Sequence, residues 1–153
     1  MNTGRRFTLS PWRSLLLALA LGAGAGAGAD GAWQPALMDP ALLAAYIEEG
    51  ENVPYILYVG PRALFDQGHI TGAIYVGPAS LEEGLQRLAE VVKNWPSNAS
   101  IVVYCGCCPW STCPNLPPAD RKLRALGFTN VRMLDTPTNL SLDWINKNYP
   151  TSY

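Results

Sequence analysis

The chain has 153 residues, which is the length of one ordinary domain. Its 11 basic and 12 acidic side chains nearly cancel, and this balance excludes the clustered positive charge of a nucleic-acid-binding protein. A hydrophobic content of 48% is that of a globular protein rather than a disordered one.

The first part of the chain has the pattern of a secretory signal peptide. Three arginines precede an apolar run over residues 15–21, and a Gly-Ala repeat follows over residues 22–29. The run is shorter than the roughly 20 residues that span a bilayer, and the small residues after it fit a cleavage site. We therefore expect residues 1–29 to be removed on export to the periplasm or the extracellular space, with no other contact with the membrane. Residues 30–38 would then form a short linker, and residues 39–153 one folded domain.

The rest of the chain alternates between extended and helical patterns. Asp39 before Pro40 predicts the start of a helix that ends at Gly50. Ser80 and Glu83 have the form of a capping box and predict the start of a second helix. The strands are predicted over residues 55–59, 74–76, 100–104 and 131–134, and the later helices over residues 81–92, 117–126 and 140–146. This alternation predicts an α/β fold in which helices cover both faces of a parallel sheet.

Four cysteines lie together in one short segment, and these are Cys105, Cys107, Cys108 and Cys113. Cysteines that staple a fold are spread along the chain, so this grouping predicts a site. Cys105 directly follows residues 100–104, an unbroken apolar run that is typical of a central parallel strand. Because sites in open α/β sheets lie at the carboxyl ends of the strands, Cys105 is the candidate reactive residue.

Three segments, in order along the chain, resemble those of rhodanese-like domains. Residues 68–73 read Gly-His-Ile-Thr-Gly-Ala, which is similar to a signature of that family. Residues 101–105 resemble the strand that leads into the family's catalytic cysteine, and residues 123–131 resemble the segment after its active-site loop. The signature residues to which the resemblance gives a structural role are Gly68, His69, Gly72 and Ala73.

The resemblance implies a single rhodanese-like domain with a parallel sheet of about five strands. It also implies that Cys105 takes up sulfane sulfur as a persulfide and passes it to a thiol or another nucleophile, without a cofactor. The expected partners are a small sulfur-containing donor and a thiol acceptor, and a protein partner is a further possibility. The main chain that would cradle the sulfur belongs to Gly106, Cys107, Cys108, Pro109, Trp110 and Ser111.

This sequence departs from the family's pattern at two places that bear on chemistry. Tyr58 and Gly60 stand where typical members have an acidic and a basic residue, and residues 105–115 contain no Lys or Arg. A thiolate is the reactive form of cysteine, so another source of positive potential is needed. We expect loop N–H groups or a helix N-terminus to lower the pKa of Cys105.

The three further cysteines leave several alternatives open. One of Cys107, Cys108 and Cys113 could resolve a Cys105 persulfide into a disulfide. Cys108 and Cys113 could instead form a structural disulfide, in which case no metal is bound. As a third alternative, all four thiols could bind a soft metal such as Cu(I) or Zn. The matching alternatives to a sulfurtransferase are a non-catalytic binding module and a thiol-disulfide oxidoreductase.

Overall fold

The computed structural model describes residues 32–153, together with Met1 and Gly4. Residues 32–153 form one compact unit. The predicted signal peptide, its cleavage site and the export that depends on them lie outside the described residues. Within the described part of the chain, no helix is long and apolar enough to cross a membrane.

Seven strands and five α-helices make up this unit. The strands are β1 (Leu37–Met38), β2 (Tyr55–Tyr58), β3 (His69–Ile70), β4 (Ala73–Tyr75), β5 (Ile101–Tyr104), β6 (Val131–Leu134) and β7 (Thr151–Ser152). The helices are α1 (Pro40–Glu49), α2 (Arg62–Gln67), α3 (Glu82–Val92), α4 (Leu116–Ala125) and α5 (Leu140–Asp143). Two 3-10 helices lie at Trp110–Thr112 and Ile145–Lys147.

Five strands form a parallel sheet in the order β1-β6-β5-β2-β4, with β5 in the middle. Strands β3 and β7 form a separate antiparallel pair. All four residues of β5 are buried, and they alternate between two apolar clusters on opposite faces of the sheet. Helices α3 and α4 supply side chains to one cluster, and α1 and α5 to the other. The predicted α/β fold with a five-stranded, doubly covered sheet is confirmed.

Local predictions have mixed outcomes. The cap of α1 is confirmed, because the Leu42 N–H donates to Asp39 Oδ1 at 3.0 Å. The capping box at Ser80 is wrong, since α3 begins at Glu82 after Leu81 and has no side-chain cap. A tertiary contact replaces the predicted local one, because the Ser80 backbone N–H donates to the side chain of Asn115.

Two element boundaries also need correction. The predicted linker over residues 30–38 is not all linker, because its last two residues form β1 and pair with β6. The predicted terminal helix over residues 140–146 is broken at Trp144, whose φ of −134° is not helical. Trp144 is fully buried, so packing of its indole outweighs continuation of the helix.

Candidate active site

Cys105 lies directly after β5, at the carboxyl edge of the sheet, where the sequence places it. Its side chain belongs to one of the two apolar clusters, and the residue is only 2% exposed. A Cβ atom added to Gly60 would lie 2.6 Å from the Cys105 carbonyl oxygen and 2.6 Å from Tyr58 Oη. Position 60 therefore has no room for a side chain beside the backbone that carries Cys105.

Backbone hydrogen bonds fix the loop that follows Cys105. Gly106 has a φ of +86°, a conformation that glycine adopts without strain, and its carbonyl accepts a hydrogen bond from the Leu140 N–H at 3.0 Å. Further along, the Trp110 N–H donates to the Thr136 carbonyl at 3.0 Å. The loop is thereby tied at two points to the segment after β6.

Asn115 is a site residue that the sequence analysis missed. Its Nδ2 donates to Cys105 Sγ at 3.2 Å, and its Oδ1 accepts from the Ser80 N–H at 2.9 Å. The residue is 5% exposed, so both contacts are shielded from water. Because the oxygen is engaged by an N–H, the amide can only present its nitrogen to the sulfur. The sequence signal that could have indicated it is a polar residue directly before the proline-rich start of α4.

Cys113, at the end of the loop, is the cysteine with the more acidic thiol. A hydrogen bond from Cys105 is the main cause that lowers the pKa of Cys113 to about 6, and burial opposes it. The backbone N–H groups of Asn115 and Leu116, at the start of α4, lower the pKa further. A helix N-terminus stabilises negative charge in this way.

The expectation that loop amides lower the pKa of Cys105 is wrong. Its hydrogen bond to Cys113 and its burial raise the pKa of Cys105 well above the ordinary range, and the contact with Asn115 only partly offsets this. The main-chain N–H groups at the start of α4 lower the pKa of Cys113 and not that of Cys105. Near neutral pH these opposite shifts favour a thiolate on Cys113 and a protonated thiol on Cys105.

The other two cysteines lie toward solvent. Cys107 is exposed and Cys108 is half-buried, and burial raises the pKa of Cys108 to about 12. Cys107 Sγ lies 3.4 Å from Cys105 Sγ and 3.2 Å from Cys108 Sγ. All four cysteines are free thiols, so the structure describes the reduced loop. A Cys108–Cys113 disulfide stays a prediction for the oxidised protein.

The same thiols bear on the predicted metal alternative. The Sγ atoms of Cys105, Cys107 and Cys108 all lie within 4.8 Å of one another, so one soft ion could contact all three. Cys113, the fourth predicted ligand, is not part of this set. The structure thus brings together three of the four residues of that alternative.

Trp110 covers one side of the loop. Its ring meets the ring of Trp33 edge-on at a centroid distance of 6.2 Å, and both pack against the apolar cluster that holds Cys105. Trp33 Nε1 also donates to Asp120 at 2.9 Å. Trp33 lies in the predicted linker, and sequence reasoning did not connect it with the site.

A cleft of about 140 Å³ opens beside the loop. Its walls include Tyr58, Gly106 and Leu140, but Cys105 is not among the lining residues. The hydroxyl of Tyr58 donates to the Pro61 carbonyl at 3.0 Å, which fixes this wall. The Cys105 thiol is therefore next to the cleft without opening into it.

His69 interacts with α2. Its Nδ1 lies 2.9 Å from the Phe65 carbonyl, and its ring stacks on that of Phe65 at 3.8 Å. Gly68 and Gly72, on either side of β3, have φ values of +156° and +82°. Ala73 begins β4, so the whole motif shapes the connection between α2 and β4.

Residues 39–136 match the family described as "Rhodanese-like domain". This match covers well over half of the chain, and the fold agrees with it. The chain belongs to the rhodanese-like family.

Solved structures give the same result for the fold. The rhodanese-like domain of a protein from Anabaena sp. is 26% identical over 78% of this chain and 80% of that chain, with a TM-score of 0.55. A protein from Bacillus halodurans is 22% identical over 77% of each chain, with a TM-score of 0.59. A single-domain sulfurtransferase from Saccharomyces cerevisiae is 13% identical over 75% of this chain and 92% of that chain, with a TM-score of 0.55. No curated protein matches the chain.

Proposed function

We propose that this protein is a sulfurtransferase that carries sulfane sulfur as a persulfide on Cys105. The observation that carries the proposal is the buried Cys105 thiol at the carboxyl edge of the sheet, which accepts a hydrogen bond from Asn115 Nδ2 at 3.2 Å and is accompanied by a second buried thiol, that of Cys113. In a rhodanese-like domain, this pair supplies both a nucleophile and the group that takes its proton. A second base is not needed.

Loading is a displacement at sulfur. As Cys105 Sγ attacks the outer sulfur of a persulfide, its proton passes to the Cys113 thiolate. The donor's sulfur–sulfur bond breaks as the new bond to Cys105 forms, and the donor leaves as a thiolate. One sulfur–sulfur bond replaces another, so no external oxidant or reductant is required. An acceptor thiolate then attacks the outer sulfur and releases Cys105.

The loop composition indicates which donors fit. Residues 105–115 contain no Lys or Arg, so the loop offers no side-chain cation to a doubly charged donor such as thiosulfate. The site's one negative charge, on the thiol pair, repels such a dianion further. Organic persulfides, whose sulfane group carries at most one negative charge, are the donors that we expect, and inorganic polysulfide serves as a small test donor.

Mass spectrometry tests the proposal directly. Reduced, metal-free protein is incubated with an organic persulfide or inorganic polysulfide, and the mass of one added sulfur atom is located by fragmentation of the cysteine-containing peptide. We expect the adduct on Cys105, and we expect Cys105→Ser to abolish transfer of sulfur from inorganic polysulfide to an added thiol acceptor.

Each contrary result points elsewhere. If the wild-type protein gains no sulfur from either donor, the proposal is wrong and the non-catalytic alternative is favoured. If the Cys105→Ser variant transfers sulfur as fast as the wild type, Cys105 is not the carrier. A protein that instead reduces or forms disulfides in a partner belongs to the oxidoreductase alternative.

A further inference from the structure

The loading step has an access problem, because the proposed carrier is buried. Cys105 is 2% exposed, and the nearest cleft does not include it among its lining residues. Trp110 and Trp33 cover another side of the loop. A sulfur donor with a bulky organic group cannot bring its outer sulfur to Cys105 while the loop has this conformation.

A thiol through which sulfur enters must be exposed to solvent and must contact Cys105, and Cys107 does both. It is exposed to solvent, whereas Cys105 is buried. Its Sγ is nevertheless 3.4 Å from Cys105 Sγ, which is direct contact between the two sulfurs. Only Gly106 separates them in sequence, and the left-handed φ of that glycine turns the chain so that both thiols reach the same space.

Cys108 does not share this position. Its Sγ contacts Cys107 at 3.2 Å, and Cys108 is only half-buried. Cys105 Sγ has hydrogen-bonding contacts with Cys107 Sγ and Asn115 Nδ2 and none with Cys108. Cys107 is therefore the exposed thiol in contact with the buried one, and Cys108 is separated from Cys105 by the Cys107 sulfur.

We propose that Cys107 is a second catalytic cysteine, which takes sulfur from bulky organic persulfides at the surface and hands it to Cys105. This relay rests on the proposed function, and bulky organic persulfides are the donors that require it. Small inorganic polysulfides do not carry the bulk that excludes organic donors, so they do not depend on Cys107 for entry.

The relay consists of two displacements. The Cys107 thiolate first attacks the outer sulfur of the organic persulfide, and the organic thiolate leaves. Cys105 Sγ then attacks the outer sulfur now held by Cys107. The bond from that sulfur to Cys107 breaks, its electron pair returns to Cys107 Sγ, and the Cys105 proton passes to the Cys113 thiolate. Each step breaks one sulfur–sulfur bond and forms another, so the sequence is balanced without a further reactant.

The test compares two donors on matched serine variants. Glutathione persulfide is the bulky probe, inorganic polysulfide is the small probe, and the rate of sulfur addition to Cys105 is followed by mass spectrometry. We expect Cys107→Ser to slow loading by glutathione persulfide at least about tenfold, because a transfer within the protein is replaced by a hindered encounter. Loading by polysulfide stays within about twofold of the wild type in the same variant. Cys108→Ser is the matched control, and it keeps the wild-type rate with both donors.

A second variant traps the intermediate. In Cys105→Ser the second displacement is blocked, so sulfur from glutathione persulfide accumulates on Cys107. The relay is overturned if this adduct does not form, or if glutathione persulfide loads Cys107→Ser at the wild-type rate. It is also overturned if the rates of loading by glutathione persulfide and by polysulfide fall equally in Cys107→Ser. A wild-type protein that takes sulfur from neither donor shows instead that the proposed function itself is wrong.

Discussion

At the scale of single residues, the site depends on one buried amide. Asn115 joins the turn before α3 to the sulfur of Cys105 through two hydrogen bonds. A buried donor that loses its partner costs about 1–3 kcal/mol. The same side chain therefore contributes to stability and to the position of the Cys105 sulfur.

Replacement of Asn115 tests both contributions, and an exposed asparagine serves as the control. We expect Asn115→Ala to lower the free energy of unfolding by about 1–3 kcal/mol, since the Ser80 N–H is left without an acceptor. Loading of Cys105 slows as well, because the thiol loses a donor that holds it. Denaturant unfolding and the sulfur-addition rate measure the two effects. Asn98→Ala, at an exposed turn position, is the control and stays within about 0.5 kcal/mol.

The thiol pair makes stability depend on pH. The pKa of Cys113 is about 6 in the folded protein and near its ordinary value of 9 when unfolded. Between these values the unfolded state binds the extra proton, so stability rises with pH from about 6 to about 9. Above that range stability falls, because the raised pKa of Cys105 keeps a proton on the folded protein that the unfolded chain loses.

Urea unfolding of the reduced protein across this pH range checks the prediction. Cys113→Ser removes the low-pKa group, and we expect the rise between pH 6 and 9 to disappear in that variant. An equal rise in the wild type and in Cys113→Ser would show that another group is responsible.

At the scale of elements, the close approach of β2 to β5 leaves no room at Gly60. We expect Gly60→Ala to destabilise the fold by about 1–3 kcal/mol, because the added carbon meets the Cys105 carbonyl and the side chain of Tyr58. We also expect it to slow loading of Cys105, since the backbone that must shift carries the reactive sulfur. Unfolding and sulfur-addition rates are measured on the same protein.

A helix cap on the other face of the sheet supplies the control. Asp39→Ala removes the acceptor for the Leu42 N–H and costs about 1 kcal/mol. The loss of stability in Asp39→Ala is similar to that in Gly60→Ala, but we expect Asp39→Ala to add sulfur to Cys105 at the wild-type rate. If both variants lose activity in proportion to stability, the close contact at Gly60 has no specific effect on the site.

The elements also show what sequence can and cannot predict. The buried run of β5 and the place of Cys105 were predictable, because a continuous apolar strand in an α/β pattern has one usual position in the sheet. The roles of Asn115 and Cys113 were not, since they depend on how an eleven-residue loop, residues 105–115, folds back onto Cys105. The capping box at Ser80 failed for the same reason, because local preference was outweighed by a contact between residues 35 apart in sequence.

At the scale of the whole molecule, Tyr104 links the central sheet to the small β3-β7 sheet. Its hydroxyl, at the end of β5, accepts a hydrogen bond from the Ile70 N–H at 3.1 Å, and both residues are fully buried. Trp144 strengthens the same region, because its Nε1 donates to the Pro150 carbonyl just before β7 at 3.0 Å. The C-terminal segment is thereby fixed to the domain.

Removal of one oxygen atom tests this link. We expect Tyr104→Phe to destabilise the protein by about 1–3 kcal/mol, since the buried Ile70 N–H loses its acceptor. We expect amide hydrogen exchange at Ile70 to accelerate by a larger factor than amide exchange in α1. Tyr55→Phe is the matched control, because Tyr55 is 42% exposed, and it changes stability by less than about 0.5 kcal/mol.

The contact between Trp33 and Trp110 has a practical consequence for how the protein is produced. The indole that shields the cysteine loop comes from the first few described residues, far from the loop in sequence. A recombinant chain that starts at the family boundary, residue 39, lacks both this indole and β1, and we expect its buried thiols to oxidise faster in air. Expression designs that begin before residue 32 keep the cover in place, and their tryptophan fluorescence reports whether it is seated.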